Sequence, residues 1–190
     1  MKFLKRILGN EIVRRYVIMN SFDGALTMLG IILANFFAGT TNVQLVILPS
    51  VGAAIALCIS GVWGAYTAEL SEVKRSIKKL EQHMLRKMHN THYARKEKLM
   101  AYTIAVVNGL VPLFVAFILI TPFFIVKLGF LTTAHAYYYS LGAVMVALFG
   151  FGMFAGRTAK ENLYLHGVKM MFAGIVIGII FYLLTLVGFI

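Results

Sequence analysis

Carboxylates are scarce in this chain, seven in 190 residues, and one of them, Asp23, opens the apolar run DGALTMLGIILANFFAG that ends at Gly39. A charge inside such a run costs about 2.5–3.5 kcal/mol on insertion scales, so its presence points to function. Asn20, Asp23, Gly24 and Thr27 fall at i, i+3, i+4 and i+7 and share one helical face. Met28 lies five residues past Asp23 and flanks the same cavity only if that cavity is wide. A structural alternative for Asp23 is an ion pair with Lys169 or Arg157 that merely ties helices together. A second group lies in CISGVWGAYTAELSEVK, where Glu69 and Glu72 are one helical turn apart and Tyr66 precedes Glu69 by another turn. Carboxylates converging with a methionine thioether suit a divalent first-row cation, because oxygen ligands accept Mn2+ and Fe2+ and sulfur adds softness against Mg2+ and Ca2+. For Glu69 and Glu72 the competing expectation is solvation at the membrane interface beside Lys74 and Arg75.

A third set, Glu81, His83, Met84, Met88, His89 and His92, sits in the polar stretch 71–99. These residue types could capture metal transiently, with Glu81, Met84, Met88 and His92 on one face if a single helix runs that far. No tight His-x3-His motif with a flanking acid is present, so a solvated or membrane-lying helix is the plainer expectation. Catalysis finds no support, since no nucleophile, base and orienting group can be assembled. The chain is read as a non-enzyme without a cofactor.

These residues must be positioned by membrane-spanning elements. A composition of 60% hydrophobic and 13% charged residues does not fit an ordinary soluble domain. Five apolar segments, at about 17–39, 44–70, 100–126, 134–156 and 167–189, are long enough to cross the hydrocarbon core. The fold expected is an all-α integral membrane protein with five transmembrane helices. Residues 1–16 form an interfacial amphipathic helix, and 17–190 a single membrane domain with a basic helical insertion at 71–99. With no Pro or Gly, that insertion can continue the second span before reversing near Asn90 and Thr91. Glycines such as Gly61, Gly64, Gly142, Gly150, Gly152, Gly174 and Gly178 allow close helix packing. Asn108, Gly109 and Pro112 mark a possible kink in the third span.

The eighteen Lys and Arg fall as 5, 9 and 3 on one side and 0, 1 and 0 on the other. The positive-inside rule places the N-terminus in the cytoplasm and the C-terminus outside. The net charge of +11 therefore speaks for an anionic inner leaflet as partner and against nucleic acid. Cys58 stands alone in an apolar run, so no internal disulfide can form. The protein is expected in a membrane as a multi-pass protein, the cell membrane if prokaryotic.

SFDGALT in the first span, ISGVWGAYTAELSE in the second, ALFGFGMFAGR in the fourth and GVKMMFAGIVIGIIFYLL in the fifth resemble motifs of the vacuolar iron transporter family. The resemblance spans nearly the whole chain. It implies a homodimer with a metal path at the dimer interface, exchanging Fe2+ or Mn2+ from the cytoplasm against protons. Asp23 matches the family's helix 1 carboxylate, Tyr66 its helix 2 tyrosine and Glu72 the acid that closes that motif. Two positions depart from it: the helix 2 methionine falls on Gly61, and the glutamate before the tyrosine falls on Ala65. Glu69, one turn after Ala65, could restore a carboxylate to that face. The insertion is short and basic where family members carry glutamate-rich helices. A non-transporting membrane protein, keeping the fold for assembly or for lipid or partner interaction, is the alternative.

Overall fold

The computed structural model describes residues 11–84 and 91–188. Among these residues there are five helices: α1 Glu11–Phe37, α2 Gln44–Met84, α3 His92–Lys127, α4 Thr133–Ala159 and α5 Leu163–Leu186. All five are long and apolar enough to span a membrane. The all-helical, five-span expectation holds. Residues 1–10, most of the expected interfacial helix, lie outside the described residues, and Glu11 onward already belongs to α1.

α2 is one helix of 41 residues. At 1.5 Å per residue it is about 60 Å long, roughly twice the hydrocarbon thickness. Its C-terminal turns therefore stand beyond the span, as the absence of helix breakers after Ser71 predicts. α3 starts afresh at His92, with Thr91 as N-cap accepting from the Ala94 N–H at 3.3 Å. Ile77 and Ala94, near the connected ends of the two helices, are both buried.

The chain order sets the layout. α2 packs on α3, α3 on α4 and α4 on α5, while α1 touches all four; α2 and α5 do not touch each other. The four later helices thus form an arc around α1 that is open between α2 and α5. Facing that opening, Ile12, Arg15, Met19 and Asp23 form an exposed stripe at three- and four-residue spacing. The opposite sides of α1 are buried through Gly24, Ala25, Met28, Leu29 and Ile32.

The apolar core occupies the end of the bundle away from Asp23. Ile32, Val46, Ile120, Phe123, Val144 and Leu148 are fully buried there. Tyr137 belongs to this core: it is 4% exposed, its ring lies 5.1 Å from Phe123, and its hydroxyl donates to the Thr40 carbonyl at 2.9 Å. Tyr138 and Tyr139 are exposed, as expected of interfacial rings.

Of the small residues expected to pack, some do and others face outward. Gly152 lies against the backbone of His166 and Gly167, and Gly174 against Leu148, while Gly64, Gly142, Gly150 and Gly178 have open space where a Cβ would stand. The tight glycines are those that the hairpin geometry turns toward a neighbour.

Candidate metal site and its polar surroundings

Asp23 is exposed on the open stripe of α1 and, among the described residues, its carboxylate has no ion pair. Lys169 and Arg157, the partners that a purely structural role would require, are exposed on the α4–α5 side. The Thr27 hydroxyl donates back to the Asp23 carbonyl at 2.7 Å, so Thr27 serves the α1 backbone. The face shared by Asn20, Asp23, Gly24 and Thr27 is split by its neighbours. Gly24 turns to α3, where a Cβ would meet Pro112 at 3.1 Å, and Asn20 also reaches α3, but Asp23 stays at the open edge. Met28 is fully buried in the core, so the structure does not bring it to the Asp23 carboxylate. Its position some 140° round the helix explains the separation.

Asn20 anchors a polar tie across three helices. Its amide Nδ2 donates to the Tyr16 carbonyl at 2.8 Å and to Asn108 Oδ1, and Asn108 Nδ2 donates to the Gly61 carbonyl at 2.7 Å. Half-buried and buried amides of this kind satisfy one another where lipid supplies no alternative partner. Asn108 thus acts through its side chain. Asn108, Gly109 and Pro112 are all buried, and α3 runs unbroken through them. Pro112 has no N–H to offer the Asn108 carbonyl, and that carbonyl stands 3.1 Å from where a Gly61 Cβ would be.

Position 61 therefore belongs to the α2–α3 seam. A methionine there would meet Asn108 and Gly109 within 3.1 Å of its Cβ. Ala65, one turn on, is 4% exposed and faces the same seam. Tyr66 and Glu69 part company: the Tyr66 ring lies 5.4 Å from Tyr102 of α3, while Glu69 Oε1 accepts from the Tyr16 hydroxyl of α1 at 2.9 Å. Glu72 is exposed. Spacing by three residues leaves about 60° between two side chains, enough to aim them at different helices.

At the far end of α2, His83 Nδ1 donates to the Lys79 carbonyl at 2.7 Å, Met84 is exposed and Glu81 is half-buried. Met88 and His89 lie outside the described residues. His92 opens α3, so the single face through Glu81, Met84, Met88 and His92 does not exist as one helix. Among the described residues, no group of three or more His, Cys, Asp and Glu gathers at metal-holding distance within one chain.

Tyr16 and the bonding role of Asn108 were not singled out from the sequence. The signal for Tyr16 was present, since it stands seven residues before Asp23, nearly the same angular position two turns away. For Asn108 it was an amide in an otherwise apolar stretch.

An uncharacterized protein of the archaeon Methanocaldococcus jannaschii is 24% identical over 190 residues, spanning 97% of this chain and 94% of its own length. No solved structure matches the chain. A profile of the VIT family matches residues 68–186, from the C-terminal part of α2 to the end of α5, and leaves Asp23 outside the matched stretch. Five spanning helices, the motifs of α1, α2, α4 and α5, and a match over more than half of its length agree: this multi-pass membrane protein belongs to the VIT family, the vacuolar iron transporters.

Proposed function

We propose that the protein carries divalent transition-metal cations, Fe2+ or Mn2+, out of the cytoplasm in exchange for protons, and does so as a homodimer. The observation that carries this reading is Asp23. A carboxylate in an apolar span, exposed on the open stripe of α1 and without an ion pair among the described residues, is suited to a ligand that comes and goes. Metal and proton compete for the same oxygens, which is sufficient to couple their fluxes. Among the described residues, one chain gathers no group of three or more His, Cys, Asp and Glu, so a second copy would complete the ligand set. A second copy facing the open stripe would place two Asp23 carboxylates on one path. Tyr66, Glu69 and Glu72 on α2 are further ligand candidates, of which Glu69 faces α1; Met28, deep in the core, would need a rearrangement of α1 to reach the path.

The alternative, a membrane protein that keeps the fold without transport, is favoured by the closing of positions 61 and 65 into the α2–α3 seam. Uptake into inverted vesicles separates the two. Asp23→Ala is expected to abolish Fe2+ and Mn2+ uptake while expression and elution on size exclusion stay as in the wild type. Near-normal uptake by that variant would remove Asp23 from the path. Absence of saturable metal binding by the purified wild type, measured calorimetrically, would favour the non-transporting reading.

A further inference from the structure

The contact between α1 and α2 holds a pair of side chains that the role of Asp23 does not use. Tyr16 stands two turns before Asp23, about 10 Å along the axis and within about 20° of the same face. Its hydroxyl crosses to α2 and donates to Glu69 Oε1 at 2.9 Å. The Arg15 guanidinium lies 6.0 Å from the centre of the Tyr16 ring, within reach of a cation–π contact. Glu69 Oε2 makes no hydrogen bond among the described residues. An unrestrained glutamate at a membrane boundary loses rotamer freedom when it takes a ligand. Here Tyr16 has already ordered it, with one oxygen engaged and the other open. Ala65 cannot serve this purpose, since it faces α3, whereas position 69 lies about 40° further round α2, on the side of α1.

We propose that Glu69 is a second station for the divalent cation, separate from Asp23 and nearer the N-terminal end of α1, and that Tyr16 is its positioning residue. The inference rests on the transport reading above. The hydrated cation meets Glu69 Oε2 first, keeps water at its remaining positions, and then moves about two turns along the open stripe to Asp23. Glu69 sets how readily the cation is taken up from dilute solution; Asp23 sets whether it crosses.

Kinetics of Mn2+ uptake by the purified full-length protein in liposomes test this, comparing the wild type with Tyr16→Phe, Glu69→Gln and the double variant. Tyr16→Phe is expected to raise KM about tenfold, the lower range for a hydrogen bond to a charged group, with kcat within about twofold of the wild type. Glu69→Gln raises KM further, and the double variant matches Glu69→Gln alone, because Tyr16 acts through Glu69. A merely structural Tyr16 would lower kcat or the amount of folded protein and leave KM in place. An unchanged KM in Tyr16→Phe, or additive effects in the double variant, overturns the inference. If the wild type takes up no Mn2+, the inference falls together with the transport reading. If the wild type takes it up, Asp23→Ala does not, and Tyr16→Phe is indifferent, the inference falls alone.

Discussion

Gly61 shows how one residue can decide what a helix is able to bind. The resemblance of the α2 motif puts a family methionine at this position. Here the α2–α3 seam closes over it: the Asn108 amide donates to the Gly61 carbonyl at 2.7 Å, and the Gly109 Cα lies 3.1 Å from the site of a Cβ. Gly61→Met is therefore expected to fail as a restoration of the family site. It should destabilise the protein by roughly 1–3 kcal/mol, the usual cost of overpacking a closed contact, and leave metal binding no stronger. Thermal unfolding in detergent with and without Mn2+ measures both. A variant as stable as the wild type and tighter for metal would show that position 61 opens to the path. The same reasoning explains the polar tie through Asn20 and Asn108. Two amides facing each other across α1 and α3 fasten the helices where glycines leave no side chain to interlock, and each such bond in a membrane contributes about 0.6 kcal/mol on average.

At the scale of elements, the bundle is two hairpins joined by α1. The α2–α3 hairpin projects beyond the span and bears Lys74, Arg75, Lys78 and Lys79 on its exposed side. The α4–α5 hairpin is closed by a short turn. Lys160 takes the left-handed conformation at φ 57° and ends α4, the Glu161 N–H donates to the Gly156 carbonyl at 3.0 Å, and Asn162 caps α5. His166 Nε2 pairs with Glu161 Oε2 at 2.6 Å, and this contact, with Lys169 further off, holds the Glu161 carboxyl below its ordinary value of 4.5. A lowered folded pKa means that the folded state binds fewer protons, so the contribution is complete above 4.5 and is lost as pH falls through the folded value. Glu161→Gln should therefore lower the melting temperature slightly at neutral pH and make no difference in strong acid. A difference that grows on acidification would contradict the sign. The effect is small because Glu161 is exposed to solvent.

For the molecule as a whole, the open side of α1 is the feature that asks for a partner. Among the described residues, the other sides of α1 are covered by its own chain, while the stripe Ile12, Arg15, Met19 and Asp23 stays exposed. If two copies meet there, residues at one level of the stripe come close across the interface. Met19→Cys in a Cys58→Ala background should then form a disulfide-linked dimer in native membranes. A cysteine at Val146, exposed on α4, should stay monomeric under the same oxidation. Equal cross-linking at both positions, or at neither, would place the second copy elsewhere or nowhere. The apolar surface of α5, which includes Phe172, Ile179 and Leu183, is exposed over most of its length and suits contact with lipid.

Hydropathy and length alone determined that five helices cross a membrane, because each span must satisfy its backbone internally and so declares itself as a long apolar run. The continuation of α2 past Ser71 was also legible, since nothing there breaks a helix. The intramembrane position of Asp23 followed from its neighbours in the chain. What periodicity could not say is which neighbour each face meets. Glu69 and Tyr66 look equivalent in spacing, yet one accepts a hydrogen bond from α1 and the other lays its ring beside Tyr102 of α3. Gly61 and Gly64 look like one small-residue pair, yet only Gly61 is in the seam. Met28 looks like a ligand near Asp23, yet it fills the core. A single helix specifies angles about its own axis; the arc of α2 to α5 around α1 decides which of those angles are closed by packing and which remain open at Asp23.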